Sequence, residues 1–115
     1  MTIIEGATNP QIKSHTSYEA CRFVDVTIEF EFENPVFECV IFEHCEFVNC
    51  MVSRALWYKC SWESSYIINL TMTKTILALC KLTGLMGYSN IEGTVAIDSR
   101  IDLQQTNSKI DITYI

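Results

Sequence analysis

An apolar residue at every fifth position is the feature that most constrains how this chain folds. Eleven successive positions follow the spacing, and all are apolar: Phe32, Phe37, Phe42, Phe47, Val52, Trp57, Trp62, Ile67, Met72, Leu77 and Leu82. Because 49% of the residues are hydrophobic, chance gives such a run in only about two of a thousand sequences, all five frames counted. A period of five fits neither an α-helix nor an ordinary strand. It indicates a repeat architecture.

A second regularity lies two residues before each apolar centre, where small residues recur. They are Val40, Cys45, Cys50, Ala55, Cys60, Ser65, Thr75 and Cys80. Cys21 stands in the same relation to Phe23, so five of the six cysteines share one position of the repeat. A buried free cysteine behaves as a small hydrophobic residue. The pattern therefore predicts a second inward position that must stay compact.

The spacing slips near both ends of the run. Phe23 and Ile28 are one residue out of step, and Gly87 stands where an apolar centre is expected. Apolar centres then resume at Ile91, Ala96, Ile101, Ile110 and Ile115. We therefore expect repeats over residues 21–115, most regular over 30–84, and an N-terminal cap or arm over 1–20.

Units such as Cys45–Asn49, Ala55–Lys59 and Cys80–Gly84 resemble those of pentapeptide-repeat proteins. The resemblance implies an all-β chain folded as a right-handed parallel β-helix, the quadrilateral pentapeptide-repeat solenoid, with four units per coil and roughly four to five coils. It also implies that the centre and the small residue point inward. Trp57 and Trp62 depart from the pattern because they are large for an inner column, and the Asp or Asn common before the family's centre is mostly absent.

Four units per coil bring residues twenty apart into register, and this exposes two outer walls that are unusually apolar. Leu56, Tyr58 and Ile76 are expected on one wall, and the opposite wall is expected to carry Tyr66, Ile68 and Met86. Exposed apolar patches usually mark an interface. Either wall is a candidate homodimer or partner surface, and residues 1–20 are a candidate cover for one of them.

The charge of the chain is concentrated in its first half. The net charge is −6, which argues against direct binding to nucleic acid. Residues 1–50 hold nine acids and two bases, whereas residues 51–115 hold five acids and six bases. The predicted partner-binding acids are Asp25, Glu29, Glu31, Glu33, Glu38, Glu43, Glu46 and Glu63. They are expected to wrap the early coils, with Glu43 and Glu63 stacked directly.

The family resemblance suggests a function for an acidic rod. The best understood pentapeptide-repeat proteins imitate duplex DNA, and they inhibit DNA gyrase or topoisomerase or shield it from quinolones. The resemblance thus implies a DNA mimic whose partner is a basic DNA-binding protein or nucleoprotein complex, either such a topoisomerase or a nuclease complex such as a CRISPR effector. The alternative is a non-catalytic protein–protein interaction scaffold that uses its apolar walls. The simplest interpretation is that the acidic first half of the chain serves only to increase solubility.

Catalysis and metal binding are poorly supported by the sequence. Cys39, His44, Cys45 and Cys50 are the candidate nucleophile or metal set, but Cys45 and Cys50 already have a packing explanation. The sequence therefore predicts neither an enzyme, nor a cofactor, nor a metal site. No apolar run approaches a bilayer span, and residues 1–20 lack the apolar core of a signal peptide. We therefore expect a cytoplasmic protein with no membrane partner.

Overall fold

The computed structural model describes residues 2–5, 17–19, 21–29 and 31–115. Throughout these ranges the regular structure consists of strands, and none of the described residues is helical. The strands of the described residues are β1 Thr2–Glu5, β2 Ser17–Glu19, β3 Cys21–Val24, β4 Thr27–Ile28, β5 Glu31–Glu33, β6 Val36–Glu38, β7 Ile41–Glu43, β8 Glu46–Ser53, β9 Leu56–Tyr58, β10 Ser61–Thr73, β11 Ile76–Ala78, β12 Lys81–Gly87, β13 Asn90–Ile97, β14 Arg100–Thr106 and β15 Lys109–Tyr114.

Among the described residues every strand pairing is parallel. Paired residues are nineteen or twenty positions apart in the sequence, except at the end of β13, where residues pair with β15 at a separation of eighteen. Val36 pairs with Leu56, and Leu56 pairs with Ile76, so β6, β9 and β11 stack in order. The chain is thus an all-β parallel solenoid of about five coils, which confirms the predicted fold class. We name its four sides after the centres of the second coil, in chain order: the Phe42, Phe47, Val52 and Trp57 sides.

The solenoid interior is filled by the apolar centres, and aromatic rings dominate its first three coils. Trp57 is 0% exposed, and its ring stacks on Phe37 at a centroid distance of 4.2 Å. Phe23 stacks on Phe42 at 4.9 Å, and Trp62 meets Trp57 edge-on at 5.7 Å. The coils therefore share one continuous core, as expected where a single coil cannot bury its own apolar face.

The predicted compact position is confirmed, and its side chains also act as donors. Cys60 donates from Sγ to the carbonyl oxygens of Phe37 at 3.3 Å and Tyr58 at 3.5 Å. Ser99 donates in the same way to Leu77 at 2.9 Å. Since each donor reaches a carbonyl of the preceding coil, the position selects residues that are both small and weakly polar.

The corners of the coil explain why glycine is scarce. In most units the residue two after the centre has a left-handed backbone, as at Asn49 with φ 53° and Lys59 with φ 54°. Its amide donates to the next coil, for example from Lys59 to Ala78 at 2.9 Å. Inter-coil hydrogen bonds therefore hold ordinary residues in a conformation that usually favours glycine.

Two four-residue steps interrupt the five-residue units of the first four coils. Thr27 pairs with Glu46, nineteen residues on, whereas Glu31 pairs with Met51, twenty residues on. The second step runs from Leu82 to Met86 and makes Met86, not Gly87, the buried centre of its unit.

Shortened units correct two expectations. Met86 is only 2% exposed, so the prediction that it lies on an outer wall is wrong. Ile115 does not take the place of a centre, because Tyr114 pairs with Ala96 and Ile115 is 74% exposed.

Two short strands continue the stack on the N-terminal side of the first coil. β1 pairs with β3, and β2 pairs with β6, in parallel register. The rest of the predicted cap or arm lies outside the described residues: Met1, residues 6–16 and Ala20.

Candidate functional site

The structure distributes the predicted acidic residues over all four sides of the solenoid. Glu31 and Glu33 belong to β5 on the Val52 side, and Glu38 ends β6 on the Trp57 side. The others lie on the Phe42 and Phe47 sides or at the corner between them: Asp25, Glu29, Glu43, Glu46 and Glu63. A single acidic surface can therefore include only part of the predicted set.

The largest grouping of acids follows the corner between the Phe42 and Phe47 sides. Glu43 and Glu63 are paired in register, as the twenty-residue spacing predicts. Thr83 and Asp102 continue that column in the fourth and fifth coils. Asp25 occupies this corner in the first coil, and Glu46 begins β8 just after the same corner in the second coil. We call Asp25, Glu43, Glu46, Glu63 and Asp102 the acidic edge.

Asp102 is the member of the acidic edge that sequence analysis missed. It lies thirty-nine residues after Glu63, so a strict twenty-residue spacing does not stack the two. The four-residue step between Leu82 and Met86 shortens the next register to nineteen and places Asp102 over Thr83. The sequence signals of that step are Gly84, at the compact position that usually holds Cys, Ser, Thr or Ala, and Gly87, where an apolar centre is expected.

One member of the acidic edge is neutralised locally. The guanidinium of Arg22 donates to Oε2 of Glu43, with a distance of 3.0 Å from Nε, and the two side chains are 40% and 23% exposed. Such a surface ion pair contributes little stability. Its main effect is to neutralise the charge of Glu43. The exposed negative charge of the acidic edge is then carried by Asp25, Glu46, Glu63 and Asp102.

A tyrosine-lined groove adjoins the acidic edge on the Phe47 side. Tyr66 is 44% exposed and lies in register between Glu46 and Leu85. A cavity of about 320 Å³ opens here because Gly87 adds no side chain to the wall. We call its lining the tyrosine groove: Tyr66, Ile68, Leu85, Met86, Gly87, Tyr88, Gln104 and Thr106. A neighbouring cavity of about 390 Å³ reaches from Tyr66 to Asp102 and so connects groove and edge.

The two predicted apolar walls differ in the structure. Leu56 and Ile76, with exposures of 37% and 42%, share the Trp57 side with the partly buried Tyr58, where they were expected. Tyr66 and Ile68 share the Phe47 side. Further exposed residues complete the walls: Leu79 and Ile97 on the Trp57 side, and Leu85 and Tyr88 on the Phe47 side.

The candidate nucleophile or metal set does not converge. Cys45 and Cys50 are buried, and their Sγ atoms donate to the carbonyls of Phe23 and Ile28. His44 occupies an exposed corner with φ 51°. Among the described residues no three His, Cys, Asp or Glu side chains are placed to hold a metal ion.

Thiol reactivity follows from the same burial. Burial raises the pKa of the Cys45 thiol, and the hydrogen bond with Cys80 followed by burial raises the pKa of Cys60. In a Cys21→Ser variant near neutral pH, we expect a maleimide to label the half-buried Cys39 on the order of 100-fold faster than Cys45 or Cys60. Mass spectrometry of labelled peptides measures the rates. Equal labelling in denaturant is the control, and fast native labelling of Cys45 would contradict its assignment to the core.

The class of protein follows from the coil itself: a parallel β-solenoid built of five-residue units, consistent with a pentapeptide-repeat family. No family model and no curated protein matches the sequence. Two solved structures of QnrB1, a plasmid-mediated fluoroquinolone resistance protein, are similar, both from trypsin-treated variants. One is 12% identical over 96% of this chain and 89% of that chain, with a TM-score of 0.36. The other is 14% identical over 96% and 90%, with a TM-score of 0.30. Separately, the described residues contain no helix long and apolar enough to cross a membrane.

Proposed function

We propose that this chain is a non-catalytic binding protein whose acidic edge takes the place of nucleic acid on the basic surface of a DNA-handling protein. One observation supports the proposal above the others. Residues 21–50 carry seven acids and one base, and the one base, Arg22, is engaged with Glu43. This segment therefore has a net charge of −6, from seven acids and one base, and its exposed members of the acidic edge are Asp25 and Glu46.

The spacing of the edge suits imitation of a single strand. Coils stack at ~4.8 Å, so the acidic edge extends about 19 Å from the first to the fifth coil. A DNA strand carries about six phosphates over that length at roughly 3.4 Å each. The edge offers five carboxylates, and Arg22 neutralises the one on Glu43. The charge density of the edge is therefore about two-thirds that of one strand and about one-third that of a duplex, which favours a partner that binds a single backbone.

The partner proposed is a basic DNA-binding protein or nucleoprotein complex in the cytoplasm. The family resemblance names DNA gyrase or topoisomerase first, and a nuclease complex such as a CRISPR effector fits the same chemistry. Electrostatic complementarity of this kind speeds encounter and fixes register on the partner. It also makes binding weaken as salt rises.

The tyrosine groove favours a second candidate function, an interaction scaffold. Tyr66 and Tyr88 present large exposed rings beside a concave surface. Tyrosines of this kind are enriched at protein interfaces because they combine apolar area with a polar tip. In this alternative the partner binds chiefly through apolar contact, and the acidic edge contributes little.

A matched pair of charge-reversal variants tests the proposal. In the first, Glu46→Lys, Glu63→Lys and Asp102→Lys alter the acidic edge. In the second, Glu33→Lys, Glu92→Lys and Asp111→Lys make the same change in net charge on the exposed Val52 side. We expect the first variant to bind purified DNA gyrase or a CRISPR effector at least ~100-fold more weakly, and the second to lose less than about threefold. Duplex DNA should compete with the unaltered protein.

Three outcomes bear on the two candidates. If the two variants lose equal affinity, binding depends on the net charge of the chain and not on the position of the acids, which would contradict an assignment to the acidic edge. Unchanged binding in the first variant at high salt, with loss on Tyr66→Glu, would favour the scaffold. Failure of the unaltered protein to bind any basic DNA-binding protein would overturn the proposal.

A further inference from the structure

The Trp57 side presents a parallel sheet whose outward residues form two columns. The first column runs Val36, Leu56, Ile76, Val95, and the second runs Glu38, Tyr58, Ala78, Ile97. Leu56 and Ile97 are each 37% exposed, and Ile76 is 42% exposed. From the second to the fourth coil both columns are apolar or aromatic. A continuous apolar sheet surface is a candidate for packing against another surface.

Charged residues line both rims of this side in a specific order. On one rim Lys59 occupies the corner of the second coil, Leu79 that of the third and Asp98 that of the fourth. On the other rim Arg54 occupies the corner of the second coil, Lys74 that of the third and Gly93 that of the fourth. The first rim thus carries a base one coil below the third coil and an acid one coil above it.

We infer that a second copy of this chain packs on the Trp57 side, antiparallel, about a two-fold axis through the third coil at Ile76 and Ala78. Such an axis reverses the order of coils in the partner and sets each column against itself. Lys59 then faces the partner's Asp98. Leu79 and Ile76 meet their own copies. The Lys59–Asp98 rim and the apolar columns are both self-complementary in this arrangement, as a two-fold interface requires.

The same rims disfavour the parallel arrangement. A two-fold axis along the solenoid keeps coils level and sets one rim against the other. Lys59 would then face Arg54, so like charges would meet in the second coil. In the antiparallel arrangement Lys74 is the one rim base near its own copy. Its side chain is long and exposed, so it can turn into solvent.

The size of the side predicts a weak dimer. Five strands at ~4.8 Å and three residues per strand at ~3.3 Å give a surface of about 24 by 10 Å. This is below the roughly 800 Å² per partner of a standard stable interface. The dimer is thus concentration-dependent. It is independent of the proposed function, since the acidic edge and the tyrosine groove both lie away from the Trp57 side and remain open.

Sedimentation equilibrium of the full chain over a wide concentration range tests the inference. We expect a reversible monomer–dimer equilibrium. Ile76→Lys, which places two charges on the axis, should raise the dissociation constant at least tenfold. The matched control is Leu85→Lys, an equally exposed apolar residue on the opposite side, and it should leave the constant within about twofold. Circular dichroism checks that each variant retains its strands.

A charge swap decides the orientation even if Ile76→Lys disturbs folding. Lys59→Asp alone should weaken the dimer because it sets two acids together, and adding Asp98→Lys should restore it. Restoration supports the antiparallel arrangement. The inference is overturned if the double swap does not restore the dimer, if Leu85→Lys and Ile76→Lys act alike, or if the protein stays monomeric at the highest concentration.

Discussion

Gly84→Ala is expected to lower the free energy of unfolding by about 3 kcal/mol or more. A Cβ at this position would lie 2.0 Å from the carbonyl oxygen of Ser65 and 2.9 Å from its carbonyl carbon. Both atoms belong to the backbone of the preceding coil, so no rotation of a side chain can relieve the overlap. The φ of +149° adds strain for any residue with a side chain. Accommodation therefore requires the two coils to separate locally.

Gly87→Ala is the matched control, because both glycines lie in β12. The atom nearest to a Cβ at Gly87 is the carbonyl oxygen of Thr106 at 3.9 Å, an ordinary contact. We expect a change of less than about 1 kcal/mol there. Urea unfolding followed by tryptophan fluorescence measures both variants. If the two alanine variants are equally stable, the close approach of β12 to Ser65 is not a feature of the folded chain.

The position of Gly84 also shows what the sequence could predict and what it could not. The period of five and the compact position predicted the coil, the inner columns and the pairing of Glu43 with Glu63, because each depends only on local spacing. Met86 was misplaced because the spacing from Leu82 points to Gly87. The shortened unit depends on how near two backbones approach, and a residue pattern does not encode that distance.

The candidate site was predictable in composition but not in arrangement. The sequence shows how many acids the first half holds, yet their side of the solenoid depends on each local register. The four-residue step between Ile28 and Phe32 sets the register in which Glu31 and Glu33 pair with Met51 and Ser53 on the Val52 side. The later step brings in Asp102. The pairing of Arg22 with Glu43 likewise follows from a nineteen-residue register that the regular run does not contain.

The three surfaces of the solenoid are arranged so that they do not compete. The Trp57 side, where a second copy is inferred, is opposite the Phe47 side, which carries the tyrosine groove. The acidic edge lies at the corner that the groove shares with the Phe42 side. A face-to-face dimer would therefore present two acidic edges outward, and linking two sites in this way raises apparent affinity for a partner with repeated basic surfaces.

Trp57→Ala is expected to destabilise the chain by about 3–5 kcal/mol, as for other large aromatic residues removed from a core. The Trp57 ring is 0% exposed, stacks on Phe37 at 4.2 Å and packs near Phe42 at 5.9 Å and Trp62 at 5.7 Å. Its loss would open a cavity between the first and third coils. Because solenoid stability depends on contacts between neighbouring coils, the first coil should then unfold at lower denaturant than the rest.

Trp57→Phe separates ring packing from the polar atom of the indole. Nε1 of Trp57 is buried without a hydrogen-bond partner in the described part of the chain, and an unpaired buried donor is itself unfavourable. Replacement by Phe keeps a ring against Phe37 and removes that donor, so we expect a loss of less than about 2 kcal/mol. Urea unfolding followed by circular dichroism compares both variants with Tyr88→Ala, at a residue 66% exposed. If Trp57→Ala costs no more than Tyr88→Ala, the aromatic stack does not hold the coils together. If Trp57→Ala loses much of the free energy of unfolding and Trp57→Phe loses little, stacked rings hold the first three coils together. The repeat provides an inward position for such a ring at every fifth residue.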